Sequence, residues 1–222
     1  VPPLPPPCHA TMVKPHQGYS RRVKDWMMAQ MRQHDFAEPM WFGTDGGAKD
    51  LCASWAIASQ FDEIGEMVYG EDHTSVTAEV IALVITLQAL TACVKDFKFN
   101  VDAGTRPDFI LIVDCKPAIA LALRTQPSLE RWLLWQQLDD LRRELLTTCD
   151  LAFLWCPSHG KESDDFRPPS GMDPSLIREF NHRADTEATR WRDAACAVSM
   201  RGEWHAKVAA AAKWSDDVLA MA

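Results

Sequence analysis

The chain has 222 residues, of which 47% are hydrophobic and 24% are charged, and its formal net charge is −8. This composition is typical of a globular protein with enough residues for one good core and extensions. The net charge argues against broad, nonspecific binding of nucleic acid, although it leaves local basic patches open. Residues 1–40 carry five basic and three acidic residues, so the acidic excess lies in the rest of the chain.

Cysteine usage and apolar patterning bear on the cellular compartment. The seven cysteines are odd in number and several lie within apolar runs, which indicates reduced, partly buried thiols in an intracellular protein of the cytoplasm or nucleus. Prolines stand where a signal peptide would have its apolar segment. The longest apolar run, 80–94, is shorter than the roughly 18 residues that a membrane span needs, so no association with a membrane is expected.

A linker and a helix are the first elements predicted in chain order. Residues 1–7 include five prolines and predict an extended, polyproline-like linker, with an SH3-type ligand as the alternative. A helix is predicted to begin with Ser20 as its N-cap, and its apolar face would pack on the body of the protein or on a neighbouring domain.

The segment around Asp45 is the one on which the prediction of a site depends. Apolar residues lead into Asp45, and Gly46 and Gly47 follow at once. We interpret this as a strand that ends at the edge of a buried sheet, followed by a turn. The glycines would supply positive φ and let a backbone or a ligand approach closely. Two further strands, at about 52–61 and 65–70, would complete an antiparallel meander.

Two further acids lie where a packed core would not favour them. Glu79 is the only charged residue along most of an apolar helix predicted at 76–95, where an unpaired carboxylate is costly; the alternative is that it lies in the first turn and interacts with the helix dipole. Asp114 follows an uninterrupted apolar run at 109–113, typical of a strand buried on both faces. It would either face the ligand crevice at the end of that strand or cap the next helix.

The C-terminal half supplies the remaining candidates. Its predicted elements are a helix at about 128–146, a second buried strand at 151–155, a mobile, acidic, proline-rich loop at 161–175 and a helix at 177–196. His159 lies between this strand and this loop. Asn181 and Asp185 are four residues apart on the last helix, so they share one of its faces.

Asp45, Glu79, Asp114 and Asp185 together predict a cluster of hard oxygen ligands. Such ligands suit Mg²⁺ or Mn²⁺, and two ions about 4 Å apart can activate a water and stabilise the leaving oxygen of a phosphodiester. Bound metal would also let an acidic protein tolerate a polyanion. A phosphate-binding loop, a zinc site and a serine nucleophile are set aside, because the sequence lacks the residues or the spacing that each requires.

Five motifs, in order along the chain, resemble those of type 1 ribonuclease H, including the domains carried by retroelement reverse transcriptases. They are Thr44-Asp45-Gly46-Gly47, Thr77-Ala78-Glu79-Val80, Val113-Asp114-Cys115, His159-Gly160, and a last motif that begins at Asn181 and contains Asp185. The resemblance implies an RNase H-like α/β fold, with a mixed five-stranded sheet of order 3-2-1-4-5 flanked by helices. The catalytic domain would span 39–198, after a Pro-rich linker and N-terminal helix at 1–38 and before an Ala-rich helical tail at 199–222.

The resemblance further implies an endoribonuclease that hydrolyses the RNA strand of RNA/DNA hybrids with two Mg²⁺ ions, or Mn²⁺ as substitute, and leaves 3'-hydroxyl and 5'-phosphate ends. The four acids would be metal ligands and, with His159, the catalytic residues. His159 would assist proton transfer or product release. Gly46, Gly47 and Asn181 would contact the hybrid, which would be recognised by its 2'-hydroxyls and shape rather than by base identity. The alternative is a catalytically weak nucleic-acid-binding or scaffolding domain of a larger, reverse-transcriptase-like protein.

Some features depart from the pattern of the family. His159 and Asp185 are 26 residues apart, a longer separation than in compact bacterial relatives. Cys115 stands where a hydroxyl residue is common, and no cluster of Lys, Arg and Trp resembles the basic handle of some members. A reverse transcriptase domain in the same polyprotein is a candidate partner, in agreement with a chain that begins at Val1, and the chain itself is expected to be a monomer.

Overall fold

A computed structural model describes residues 17–49, 52–68, 74–97, 106–123, 132–161, 163–170 and 172–196. The elements are α1 (Gln17–Gln33), β1 (Met40–Lys49), β2 (Cys52–Ala58), β3 (Glu63–Val68), α2 (Ser75–Asp96), β4 (Asp108–Val113), α3 (Lys116–Ala122), α4 (Trp132–Leu145), β5 (Asp150–Trp155), a short 3₁₀ helix (Ser158–Gly160) and α5 (Pro174–Cys196). The predicted linker at 1–7 and tail at 199–222 lie outside the described residues.

The five strands form one sheet in the order β3-β2-β1-β4-β5. β2 runs antiparallel to both β1 and β3, whereas β4 runs parallel to β1 and β5 runs parallel to β4. The predicted mixed sheet of order 3-2-1-4-5 is therefore confirmed, and so is its antiparallel meander. β1 lies at the centre of the sheet and contacts both α2 and α5.

Two glycines show that α2 and α5 cover opposite faces of β1. A Cβ at Gly43 would lie 2.3 Å from the carbonyl oxygen of Phe180 in α5, and a Cβ at Gly46 would lie 2.1 Å from the carbonyl carbon of Ala78 in α2. The two glycines are three positions apart, and successive residues of a strand face opposite sides. The sheet is therefore held between two helices that approach its central strand at backbone distance.

The helix α2 is the centre of the core. Most of its residues are buried, and α1 packs on it with Val23, Met27 and Met31, which are 1% exposed or less. α2 is the one described helix that is long and apolar enough to cross a membrane. Its 22 residues exceed the length that the apolar run at 80–94 predicted. Because 83% of an apolar 18-residue stretch of α2 is buried inside the molecule, the core accounts for its apolar composition. The boundary proposed at residue 38 stays a prediction, although α1 shares this core.

The turn predicted at Gly46 and Gly47 is wrong. β1 continues through both glycines to Lys49 and pairs them with Trp55 and Ser54 of β2, and neither glycine has a positive φ. The close approach of another backbone is the part of the prediction that the structure confirms, because the start of α2 lies directly against Gly46.

Other local expectations also differ from the structure. Ser20 lies inside α1, which already begins at Gln17, and therefore does not cap it. β5 is an edge strand that pairs only with β4, so its residues are half-buried or exposed rather than buried as predicted. By contrast, β4 is buried along nearly its whole length, as expected. The five cysteines whose state the structure describes form no disulfide bond, as expected, and four of them are buried.

We predict that Gly46→Ala lowers the free energy of unfolding by about 2 kcal/mol or more, because a strained fit of this kind costs roughly 1–3 kcal/mol. The new Cβ would meet backbone atoms of Ala78 and Glu79 at 2.1–2.4 Å, so α2 must shift. Urea denaturation measures the change.

Gly47→Ala is the matched control, since its Cβ would meet only ordinary contacts at 3.4–3.6 Å. It should change the stability by no more than about 1 kcal/mol, in either direction. Equal losses for the two variants would show that the approach of α2 to β1 does not limit the fold.

Candidate active site

Three carboxylates from different elements meet beside the central strand. Asp45 lies within β1 rather than at its end, which corrects the prediction, and Asp114 follows the last residue of β4. The parallel register pairs Thr44 with Val113, so the two acids that follow these residues are neighbours across the strands. Glu79 comes from α2, and one oxygen of each of the three acids lies within 4.8 Å of the others.

The start of α2 fixes the position of Glu79. Thr74 is the N-cap of the helix, and its hydroxyl accepts a hydrogen bond from the backbone N–H of Thr77 at 3.1 Å. Glu79 is the fifth residue of the helix, beyond the first turn, and its side chain is brought to Asp45 because Gly46 lets the helix lie against β1. The alternative, that Glu79 interacts only with the helix dipole, does not account for its place among two other acids.

Burial raises the pKa of all three carboxyl groups, and the charges of neighbouring acids add to each shift. The pKa of Asp45 is raised to about 8, first by burial and then by the charges of Asp114 and Asp185, while the charge of Arg192 opposes this shift. Burial, followed by the charges of Asp45 and Asp114, raises the pKa of Glu79 well above its usual value. Burial also raises the pKa of Asp114, against hydrogen bonds from Glu79 and Asn181 that lower it. In the absence of a cation the cluster therefore retains protons.

The three acids fit a divalent cation. Asp45 and Glu79 are only 6% and 7% exposed, and the buried Oε2 of Glu79 has no hydrogen-bond partner among the described residues. A buried, unpaired carboxylate oxygen is costly unless it is protonated or coordinated. Carboxylate oxygens are also the ligands that Mg²⁺ and Mn²⁺ prefer. Asp45, Glu79 and Asp114 are therefore the side chains that could hold the ion.

The helix α5 brings Asn181 and Asp185 to the same place, as their spacing predicted. Asn181 is 2% exposed and donates a hydrogen bond to Asp114, while its own Oδ1 has no partner among the described residues. Asp185 lies near enough to raise the pKa of Asp45 and Asp114 by its charge, but it lies outside the tight group of three.

His159 contacts the cluster through Asp185. Its Nδ1 lies 3.3 Å from Oδ2 of Asp185, and its side chain is 63% exposed whereas that of Asp185 is 22% exposed. The backbone of His159 has φ 54°, a left-handed conformation that costs roughly 1 kcal/mol or more for a residue with a side chain. This strained turn directly follows Pro157 and places an exposed imidazole at the rim of the acidic cluster.

Gly46 and Gly47 were also predicted as site residues, and Asp114 had a structural alternative as a helix cap. Gly46 is buried under α2 and Gly47 is half-buried on β1. Asp114 does not cap α3, because Cys115 occupies the N-cap position.

Sequence reasoning missed Arg192, whose charge opposes the raised pKa of Asp45. It follows Asp185 by seven residues, which places both on one face of α5. That spacing is a signal that was available in the sequence.

No protein-family profile and no curated protein sequence matches the chain. Among solved structures it is similar to a ribonuclease H1 isolated from compost by a metagenomic approach, with 17% identity, a TM-score of 0.48, and coverage of 72% of this chain and 99% of that one. It is also similar to ribonuclease H1 from the halophilic archaeon Halobacterium salinarum, with 19% identity, a TM-score of 0.45, and coverage of 70% and 98%. The corresponding values for the N-terminal RNase H domain of a Mycobacterium tuberculosis protein are 15%, 0.48, 71% and 96%. Values this low do not carry an assignment of activity, which depends on the residues of this chain.

We predict that the metal-free protein loses stability as the pH rises from about 4 to about 8. Between the ordinary pKa of 3.8 and the folded-state pKa of about 8, folded Asp45 holds a proton that the unfolded chain has released. The stability that this proton provides is complete below the ordinary pKa and is lost as the pH rises through the folded-state pKa. Asp45→Asn should therefore weaken the pH dependence and raise the free energy of unfolding at pH 8 by on the order of 2 kcal/mol.

Urea denaturation in EDTA at several pH values measures this effect. Asp25→Asn is the control, because its side chain is 71% exposed on α1 and lies outside the acidic cluster. A pH profile of Asp45→Asn that matches those of Asp25→Asn and the unsubstituted protein would contradict the prediction.

Proposed function

We propose that this chain is an endoribonuclease that hydrolyses the RNA strand of RNA/DNA hybrids. The observation that carries the proposal is the meeting of Asp45, Glu79 and Asp114 within 4.8 Å of one another. Asp185 and His159 lie at the rim of this group. Five stretches of sequence that resemble ribonuclease H motifs thus converge on one place, although they are spread over more than half of the chain.

The four acids would hold two Mg²⁺ ions, for which Mn²⁺ could substitute. When bound, such ions supply Lewis-acid stabilisation of the charge at a phosphodiester and make a water more acidic. Asp45, Glu79 and Asp114 would lose their retained protons as the cation binds, because carboxylates coordinate in the deprotonated state. Asn181 would hold the Asp114 carboxylate in place through the hydrogen bond that it donates.

His159 would transfer protons at the rim of the site. Its Nδ1 faces Asp185, which orients the imidazole and leaves Nε2 as the nitrogen that can take up or release a proton. Histidine side chains exchange protons near neutral pH, which suits general acid–base work or the release of a charged product. Because the ring is largely exposed, it can reach a bound strand without a change in the core.

The backbone at Gly47 would contact the hybrid. Asn181 is a weaker candidate for this contact, because its side chain is 2% exposed and donates its hydrogen bond to Asp114. The end products would be 3'-hydroxyl and 5'-phosphate strands, and recognition would depend on the 2'-hydroxyl groups and the shape of the hybrid. Gly46 is a weaker candidate for such a contact, because it is covered by α2.

A binding or scaffolding domain without turnover is the second candidate function. The net charge of −8 favours it, because it weakens the attraction for a polyanion. The buried cluster argues against it, since three like-charged groups are retained where neutral side chains would give a more stable protein.

We predict that the unsubstituted chain cuts the RNA strand of a labelled RNA/DNA hybrid when Mg²⁺ or Mn²⁺ is present and not in EDTA. Asp45→Asn should abolish cutting while the fold is retained, because it removes a ligand and relieves repulsion among the acids. Gel electrophoresis of the labelled strands measures cutting, and duplex DNA is the control substrate. Near-normal turnover by Asp45→Asn would show that Asp45 is not a catalytic residue. Metal-independent binding of the hybrid without any cutting would favour the scaffolding role.

The same assay measures how much His159 contributes to turnover. His159→Ala should slow turnover by about 10²-fold to 10⁴-fold, the range for a general acid–base group, and leave residual activity. Complete loss of cutting, or no loss at all, would show that its role is misassigned.

A further inference from the structure

Arg192 lies beside the acidic cluster and has no part in the function proposed above. It follows Asp185 by seven residues on α5, so the two side chains share one face of the helix. Its Nη1 and Cδ lie 3.5 and 3.6 Å from the position that a Cβ would take at Gly47. Gly47 is two residues beyond Asp45 on β1, and alternate residues of a strand face the same side. The guanidinium of Arg192 therefore lies over the face of β1 that carries Asp45.

The hydrogen bonds of Arg192 leave one end of its guanidinium available. Nε and Nη2 donate to Oδ1 of Asp193 at 3.2 and 3.1 Å. Nη1, which also carries two N–H donors, makes no hydrogen bond to any residue in the described part of the chain. The side chain is 23% exposed, so its surroundings hold it in place and its exposed part can contact a molecule bound at the rim of the acidic cluster.

The face of β1 continues beyond Arg192 to a second cation. Lys49 ends the strand and is exposed, and it lies on the same side of the strand as Asp45 and Gly47. At about 3.4 Å per residue, Gly47 lies roughly 7 Å and Lys49 roughly 14 Å beyond Asp45 along the strand. A nucleic-acid strand carries one negative charge per roughly 3.4 Å of helix axis. Cations at these two positions would thus meet phosphates within a few nucleotides of a bond cut at Asp45.

Lys116 is differently placed, although it closely follows Asp114. Its Nζ lies 2.8 Å from Oδ2 of Asp165 and 4.0 Å from the centre of the Trp155 ring. The charge of this lysine is thereby paired with Asp165, and its side chain is held against the end of β5 and the loop that follows it. On the other side of the cluster, Arg192 pairs with Asp193 through Nε and Nη2 and keeps Nη1 as a further donor.

We propose that Arg192, extended by Lys49, forms a phosphate-binding subsite for the nucleic-acid strand beside the end of β1, next to the bond that is cut. The subsite rests on the proposed function for the identity of that strand. Arg192 acts as a positioning residue: Nη1 donates to a phosphate oxygen, a charge-assisted contact for which a guanidinium is well suited. The net charge of the chain is −8, so the protein as a whole repels the strand. The contact with Arg192 offsets this repulsion and fixes the position of the strand relative to the acidic cluster.

The test measures binding in the Asp45→Asn background, where the hybrid stays intact, at a fixed Mg²⁺ concentration. Fluorescence anisotropy with a short fluorescein-labelled RNA/DNA hybrid gives the affinity over a series of KCl concentrations. Arg192→Gln should weaken binding about tenfold or more and reduce the slope of log affinity against log salt by roughly 0.9, the value for one lost phosphate contact. Lys49→Gln should reduce the slope in the same direction with a smaller loss of affinity.

Arg21→Gln is the matched control, because it removes the same charge from an 84% exposed side chain on α1. Its slope and affinity should equal those of the Asp45→Asn parent. Arg192→Lys keeps the charge and should retain the slope, which separates a lost phosphate contact from lost packing. Equal slopes for Arg192→Gln and Arg21→Gln would overturn the subsite, as would an Arg192→Lys slope as low as that of Arg192→Gln.

The outcome is independent of whether the protein cuts the hybrid. A chain that does not cut the hybrid, and whose salt slope falls in Arg192→Gln, would retain the phosphate subsite and contradict the proposed function. A chain that cuts the hybrid, and whose slope is unchanged in Arg192→Gln, would retain the function and contradict the subsite. In the cutting assay, Arg192→Gln in an otherwise unsubstituted chain should raise KM more than it lowers kcat, because Arg192 binds the strand and is not one of the acids that would hold the metal ions.

Discussion

The backbone of β1 at Gly46 lies directly against the start of α2, and the rest of the site depends on this approach. It allows Glu79, on a helix that otherwise buries aliphatic side chains, to reach an acid on the central strand. The register between β1 and β4 supplies the third acid, because Asp114 follows the partner of Thr44. A side chain at position 46 would separate the helix from the strand and thereby open the cluster.

The fold tolerates this cluster because the surrounding core is extensive. Burying one aliphatic side chain contributes about 1.5–3 kcal/mol, and α2 places many of them between the sheet, α1 and α4. The three acids act in the opposite sense, since burial and the repulsion of neighbouring acidic charges raise the pKa of each. A retained proton relieves that repulsion up to the folded-state pKa of Asp45, about 8, and a bound cation relieves it above that pH as well. The same site is therefore a local cost to stability and a place where binding of an ion stabilises the fold.

Much of the site could be predicted from the sequence because its acids contrast with their surroundings. Glu79 interrupts an apolar helix, Asp114 ends an apolar run, and Asn181 and Asp185 have helical spacing. The course of β1 could not be predicted: paired glycines are a local signal for a turn, whereas here they are needed for packing against another element. The partial exposure of β5 was also missed, because its apolar run predicts a strand buried on both faces, although the strand order implied by the resemblance already placed it at the sheet edge.

The most direct test of the central claim is calorimetric titration of Mn²⁺ into the metal-free protein, with and without Glu79→Gln. If the three buried acids form a cation site, the unsubstituted chain binds Mn²⁺, and its affinity rises with pH as the retained protons become easier to displace. Glu79→Gln removes the carboxylate whose Oε2 has no other partner among the described residues and should weaken binding at least about tenfold. No binding by the unsubstituted chain, or equal affinity of the two proteins, would contradict the assignment of these acids to a metal site.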